Sequence, residues 1–339
     1  MKNNEIIQLT AELSTKKNIV IVCHKNPDGD AIGSTLALSM YLKKTGHNVQ
    51  PIVPNDYPDF LKWMPQNDTV LTYEKNKTKA DKLIVDADLI FTLDFNSLSR
   101  AGEMQEILKK TKADFVMIDH HQQPDGYAKY MYSDVTICAT AQMVYHFMDL
   151  MGGLNQLDAE IATAIYTGIM TDTGSFRFRS TTSTTHRVVA DLLDHGADNA
   201  YIHESVFDSN SPERMKLLGI ALNNLKILPE YRTAYITLSQ KELDSTNFKK
   251  GDYEGFVNYA LSVENVLLAA IFVESKEDAL VKISFRSKGN FSVNMFARAY
   301  FEGGGHDNAA GGKSNRTIED TISYFISKLH PYKNQLNNE

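Results

Sequence analysis

Along the first half of the chain, short β-rich apolar runs alternate with longer stretches in which apolar residues recur at helical spacing. The run Ile19-Val20-Ile21-Val22-Cys23 is bounded by polar residues, the pattern of a strand buried on both faces. Behind it, Ala31, Ile32, Leu36, Ala37, Met40 and Tyr41 predict a helix with Asp30 as N-cap, stopped by Gly46. Residues 49–53, 88–94 and 115–118 repeat the strand pattern, and helices are expected over 141–151, 158–170, 184–193 and 212–225. Residues 1–18 read as a short amphipathic helix with Ile6, Ile7, Leu9 and Leu13 on one side, and 76–81 as a solvated loop and helix start. Trp63, in Phe60-Leu61-Lys62-Trp63-Met64, fits a local core better than a base-stacking platform. This alternation predicts an α/β domain with a mostly parallel sheet flanked by helices.

From Arg232 onward the pattern changes to short strands over 234–238, 266–273 and 280–285, with helices near 253–261, 294–301 and 318–329. A second, smaller α/β domain follows from it. The expected division is 1–195, a helical linker over 196–228, and 229–339, and 339 residues give each domain room for its own core.

The strand ends carry the chemistry. His24-Lys25-Asn26-Pro27-Asp28-Gly29-Asp30 lies on a strand-to-helix turn, Asp94 closes the next strand, and Asp119-His120-His121 closes the one after. Asp172 follows the helix expected over 158–170. Open α/β sheets place their ligands at this carboxyl edge. Any one of these acids is also what an ordinary helix cap or turn requires; their recurrence is what points to metal. Neighbouring side chains on a strand point to opposite sides, so Asp119 and His121 are expected to share one direction and His120 to take the other. His146, His186, His195, His203 and His330 read as helix or surface histidines without partners.

Collected in one site, His24, Asp28, Asp30, Asp94, His120 and Asp172 offer two imidazoles and four carboxylates with no thiolate. That mixture suits Mn²⁺ before Zn²⁺. Six ligands exceed the needs of one ion that also holds water and substrate, so two metals sharing a carboxylate are expected, the arrangement that cuts phosphate esters. Arg100 lies close behind Asp94 and serves either that acid or a phosphate. In the second domain, Ser284-Phe285-Arg286-Ser287 and the run Gly303-Gly304-Gly305-His306 combine an arginine at a strand end with glycine-rich turns, which let a backbone approach an anion.

Composition narrows the class. Hydrophobic residues make up 42% and charged residues 23%, as in a soluble globular protein, and no apolar run approaches the length of a membrane span. The two cysteines, Cys23 and Cys138, sit in apolar surroundings, which suits a reducing compartment, and a cytoplasmic location is the expectation. A net charge of −7 argues against a protein that coats nucleic acid, yet residues 282–316 hold six Lys or Arg against two acids. Nucleic-acid or phosphate contact should therefore be local.

The segments HKNPDGDAIGS, TLD, the DHH triplet, TDTGSFRF and the late GGGHDNAAGG together resemble the DHH phosphoesterase family with its DHH-associated C-terminal domain, over nearly the whole chain. The lengths most resemble the nanoRNase and pAp phosphatase branch. That resemblance implies an active site in a cleft between the domains, two Mn²⁺ with Mg²⁺ or Co²⁺ as substitutes, and a hydroxide nucleophile. Its substrates would be short single-stranded RNA, linear dinucleotides and 3′-phosphoadenosine 5′-phosphate. Carried over by motif, it assigns His24 and Asp28 to one metal, Asp30, His120 and Asp172 to the other, and Asp94 to both. Asp119 would orient the neighbouring imidazole, and His121 would face the scissile phosphate. Arg286, Ser287, Gly303, Gly304, Gly305, His306 and Arg100 would hold the nucleotide. The rivals are a RecJ-like exonuclease, a pyrophosphatase, an exopolyphosphatase and a nucleotide sensor without turnover; a homodimer is left open.

Overall fold

The structure is a computed structural model that describes residues 1–249 and 251–338, in two compact units, Met1–Ser209 and Asn210–Glu339. The first unit runs α1 (Asn3–Glu12), β1 (Asn18–Val22), α2 (Gly29–Lys44), β2 (Asn48–Val53), β3 (Leu71–Thr72), α3 (Tyr73–Val85), β4 (Leu89–Leu93) and α4 (Gln105–Leu108). It continues with β5 (Asp114–Asp119), β6 (Tyr130–Ser133), α5 (Thr140–Leu150), α6 (Ala159–Asp172), α7 (Ser183–Asp194) and α8 (Asn199–Phe207).

Its six strands stand in the order β3-β2-β1-β4-β5-β6, and every pairing is parallel. The chain order reverses between β1 and β4, so the carboxyl ends of these two strands flank the topological switch point where such sheets bind ligands. Val20 to Val22 of β1 and all of β4 are buried, as strands covered on both faces must be.

Helix α2 is buried from Gly29 to Leu42 and packs against α5 and α6. Close approach at glycine makes this packing work. A Cβ on Gly33 would lie 2.5 Å from the Ala164 carbonyl oxygen, and one on Gly168 would lie 2.5 Å from the Ala141 Cβ and 3.0 Å from the Asp30 Oδ1. The first turn of α2, the start of α5 and the end of α6 converge as a result.

The local structure differs from expectation at several points. Asp28, not Asp30, caps α2: its Oδ1 accepts the N–H groups of Asp30 and Ala31, both at 3.1 Å, while the Asp30 carboxylate is used elsewhere. In α1, Leu9 is buried but Ile7 is 66% exposed, so the apolar side is narrower than the sequence suggests. Residues 76–81 lie inside α3, which kinks at Asn76, because the run has helix formers on both sides of that residue. Strands β3 and β6 were not anticipated, being two and four residues long. Trp63 is partly buried against the main core, as expected.

The second unit runs α9 (Pro212–Asn223), β7 (Lys226–Leu228), β8 (Thr233–Leu238), α10 (Gln240–Ser245), α11 (Phe256–Ser262), β9 (Leu268–Ser275) and β10 (Leu280–Ser287). It ends with α12 (Val293–Tyr300), β11 (Gly304–His306), β12 (Ala309–Ser314), α13 (Ile318–Leu329) and α14 (Lys333–Asn337). The sheet order is β11-β12-β10-β9-β8-β7, antiparallel except between β8 and β9. The glycine-rich segment, expected as turns, forms the hairpin β11–β12. Its glycines have a packing reason: a Cβ on Gly305 would lie 2.5 Å from the Ala309 carbonyl oxygen, and one on Gly312 would lie 2.9 Å from the Phe301 Cβ.

The glycine contact between α5 and α6 yields the first prediction. Gly168→Ala should lower the stability of the first unit by about 1–3 kcal/mol through overpacking. Trp63 is the single tryptophan and lies in this unit, so its fluorescence in a urea titration reads the shift. An unchanged midpoint would show that the helices separate at no cost.

Candidate metal centre

The cluster at the switch point is built around Asp94, the residue just beyond β4. Its φ of 63° is left-handed, a conformation that aspartate tolerates better than most residues, and its N–H donates to the Ile118 carbonyl at 3.2 Å. That turn aims the carboxylate into the cluster, where it is 2% exposed. Asp94 Oδ2 lies 3.3 Å from His24 Nε2, and Asp94 Oδ1 lies 3.4 Å from His120 Nε2. One carboxylate therefore faces two imidazoles from opposite ends of its oxygen pair.

Two ligand groups form on either side. His24, Asp28 and Asp94 make one, with His24 Nε2 at 3.8 Å from Asp28 Oδ1. Asp30, His120 and Asp172 make the other, with His120 Nε2 at 3.8 Å from Asp30 Oδ2 and 3.7 Å from Asp172 Oδ2. Asp172 is the last residue of α6 rather than part of a turn after it.

Backbone carbonyls fix both imidazoles. A carbonyl only accepts, so His24 Nδ1–H donates to Lys25 O at 2.9 Å and His120 Nδ1–H donates to Ile137 O at 3.1 Å. Each ring thus presents Nε2 to the carboxylates. Outer bonds of this kind orient metal-ligating histidines.

The DHH triplet departs from simple alternation. Strand β5 ends at Asp119, and beyond it both rings approach the same atom: His121 Nδ1 lies 3.6 Å from Asp94 Oδ1, close to the distance from His120. The two rings meet edge to face with centroids 5.0 Å apart. Asp119 shares a direction with His121, as expected, and accepts its Nδ1–H at 2.7 Å.

The electrostatics of the group call for a cation. Burial opposes the charged form of His24, but bonds and charges from Asp28 and Asp94 outweigh it and raise the imidazole to about 10. His120 is likewise raised despite burial, by Asp94, Asp172 and Asp30. Burial, then the charges of Asp94 and Asp172, push the Asp30 carboxyl up; His120 and His24 overcome burial to hold Asp94 down. Among the described residues, neither Asp30 nor Asp94 has a lysine or arginine partner, so protonated imidazoles carry the compensation in the protein alone. Buried carboxylates need a cation or a proton, and an all-oxygen and imidazole donor set fits a hard or borderline divalent ion. The residues fit such ions.

Sequence reasoning missed the support supplied by the start of α5. The N–H groups of Thr140 and Ala141 donate to Asp30 Oδ2 at 2.6 Å and Oδ1 at 2.8 Å, and the Thr140 hydroxyl donates to Asp94 Oδ1 at 3.0 Å. Ile137-Cys138-Ala139-Thr140-Ala141 carries no charge and reads as an ordinary helix start, so no signal marked it. The histidines expected to lack partners have them: His203 Nε2 bonds Ser175 Oγ at 3.0 Å, bracing the loop after Asp172, where Ser175 and Phe176 both have positive φ, while His146 pairs with Gln142, His195 with Asp191 and His330 with Tyr231.

The remaining candidates divide between the two units. The Arg100 carbonyl accepts the Lys25 N–H at 2.7 Å, and its guanidinium makes no ion pair with Asp94 among the described residues. In the second unit, Arg286 lies at the end of β10 with Nη1 donating to the Phe285 carbonyl at 2.9 Å. Ser287 Oγ donates to the Phe291 carbonyl at 2.6 Å and accepts from Asn308 Nδ2 at 2.9 Å. Gly303 precedes β11, and Gly304, Gly305 and His306 form it.

Comparison with known proteins agrees over most of the chain. The DHH family, N-terminal domain, matches residues 18–169, and the DHHA1 domain matches residues 232–330. The bifunctional oligoribonuclease and PAP phosphatase NrnA of Thermus thermophilus is 32% identical over 91% of this chain and 88% of its own. Its namesake in Bacillus subtilis is 25% identical over 90% of this chain and 91% of its own. The crystal structure of an exopolyphosphatase-related protein from Bacteroides fragilis superposes with a TM-score of 0.94 at 39% identity, covering 99% of this chain and 98% of that one. With both domains matched in order and relatives alike over most of its length, this chain belongs to the DHH family of phosphoesterases and carries the DHHA1 domain behind its catalytic one.

Proposed function

We propose that this phosphoesterase hydrolyses short RNA oligonucleotides, linear dinucleotides included, to mononucleotides, and 3′-phosphoadenosine 5′-phosphate to AMP, with two divalent cations, Mn²⁺ foremost. The observation that carries the reading is Asp94, with one carboxylate oxygen turned to each of two ligand groups. The substrate class draws support from the activities for which the Thermus and Bacillus relatives are named. His24 and Asp28 would hold one cation, Asp30, His120 and Asp172 the other, and Asp94 both. Bound there, the cations supply Lewis acidity that lowers the pKa of water and offsets charge on the phosphate oxygens.

The chain's own residues do the rest. Asp119 holds the His121 Nδ1–H at 2.7 Å, which fixes the tautomer and turns Nε2 to the phosphate, where it holds positive charge or passes a proton to the leaving oxygen. Arg286, His306 and Gly303 to Gly305 are assigned to the nucleotide, with Arg100 as a further phosphate contact. The Ser287 hydroxyl is committed to Phe291 and Asn308, so its part is to shape the end of β10 beside Arg286.

A second reading, exopolyphosphatase, rests on the description of the Bacteroides structure. Product analysis separates the two. The substrates are pAp, a dinucleotide, a five-nucleotide RNA, a long single strand and polyphosphate, each with Mn²⁺ and with chelator. Turnover should require the cation, run fastest on the shortest RNAs and on pAp, and vanish for all of them in Asp94→Ala. Faster release of phosphate from polyphosphate, or equal rates on the long strand, would overturn the assignment.

The imidazole pKa values give a prediction about cation uptake. A His24 raised to about 10 is protonated at neutral pH, and a metal ligand must be neutral, so binding has to displace that proton. Affinity for Mn²⁺ should therefore rise with pH between 6 and 8. Calorimetric titration in buffers of different ionisation enthalpy should show proton release; an apparent enthalpy that is the same in every buffer would contradict it.

A further inference from the structure

The geometry points to Thr140 as the positioning residue that locks the plane of the Asp94 carboxylate and so sets how tightly the second cation is held. This rests on the two-cation reading above. A carboxylate turns easily about its Cβ–Cγ bond, and nothing intrinsic to aspartate keeps one oxygen on each side. The bridge needs an outside hand on one of its oxygens.

Thr140 supplies it from a fixed position. Its side chain is fully buried, and its hydroxyl lies 3.0 Å from Asp94 Oδ1. A carboxylate only accepts, so the hydroxyl donates. Oδ1 is the oxygen turned to His120, at 3.4 Å, while Oδ2 faces His24. The bond therefore holds the oxygen that belongs to the group of Asp30, His120 and Asp172.

The same residue grips a second ligand of that group. Its backbone N–H donates to Asp30 Oδ2 at 2.6 Å, and the next N–H, from Ala141, donates to Asp30 Oδ1 at 2.8 Å. Three residues earlier, the Ile137 carbonyl fixes His120 at 3.1 Å. Between them, Cys138 Sγ donates to Gln142 Oε1 at 3.0 Å and meets the Thr185 hydroxyl at 3.5 Å, which ties the segment to α5 and α7. One short piece of backbone thus positions His120, Asp30 and Asp94. Only the Asp94 contact depends on a side chain, which makes it the contact that substitution can remove alone.

The test measures Mn²⁺ binding by competition with a calibrated chelator, for wild type, Thr140→Val and Thr140→Ser, with thermal melts in chelator alone as a check of folding. Valine keeps the shape and removes the hydroxyl; serine keeps the hydroxyl and removes the methyl. Thr140→Val should weaken one of the two ions by about 10- to 100-fold, the usual range for an outer-shell partner, and leave the other unchanged. Thr140→Ser should bind both as wild type does. At saturating Mn²⁺, the KM for a dinucleotide should stay the same in all three. If Thr140→Val does not fold, Thr140→Ala is measured in its place by the same criteria.

Wild-type affinity for both ions in the hydroxyl-free variant would overturn the inference. So would a loss in Thr140→Ser equal to that in Thr140→Val, because packing of the methyl group would then be responsible. A wild-type protein that takes up fewer than two ions would instead remove the two-cation reading, and the inference with it.

Discussion

Burying carboxylates together is the constraint on which the first unit depends. Asp30 and Asp94 lie almost without solvent, and Asp28 and Asp172 join them within one cluster. Charges so placed repel one another and lose their hydration, so every nearby element supplies compensation. Two imidazoles stand against Asp94, two N–H groups at the start of α5 hold Asp30, and Asp28 is bound by the first turn of α2. The clustering is costly to a fold, and it suits a ligand of positive charge.

The scaffold meets that cost by convergence. A parallel sheet whose order reverses between β1 and β4 brings His24, Asp28 and Asp94 to one edge, and β5 adds the triplet beside them. The helices must then come close enough for Asp30, Thr140 and Asp172 to reach the same point, which a side chain at Gly33 or Gly168 would prevent. Backbone strain adds the last adjustment. The left-handed turn at Asp94 and the pair of positive φ angles at Ser175 and Phe176 sit on two of the four chain segments that contribute to the cluster, where such strain is usually found.

Much of this was legible because charge at the end of an apolar run is a strong signal. The strands over 19–22 and 89–93, the parallel sheet, and the grouping of His24, Asp28, Asp30, Asp94, His120 and Asp172 could all be read from position and residue type. Cap assignment failed at Asp28 and Asp30 because either acid fits a cap, and only the N–H groups of α5 decide which one is otherwise engaged. Alternation failed at His120 and His121 because the strand stops one residue earlier. The hairpin β11–β12 escaped because glycine in a tightly packed strand looks, in sequence, like glycine in a turn.

The DHH triplet then divides its labour by the partner each residue finds. Asp119 closes β5 fully buried and spends one oxygen on His121, leaving Oδ2 without a hydrogen bond among the described atoms. His120 gives its Nδ1–H to a backbone carbonyl, which leaves Nε2 facing the carboxylates of Asp30, Asp94 and Asp172, the face on which a cation would be held. His121 gives its Nδ1–H to a carboxylate instead, at 2.7 Å. Two adjacent residues of one type thereby differ in what fixes the ring, a backbone carbonyl for His120 and a buried carboxylate for His121, and the separate tasks proposed for them rest on that difference.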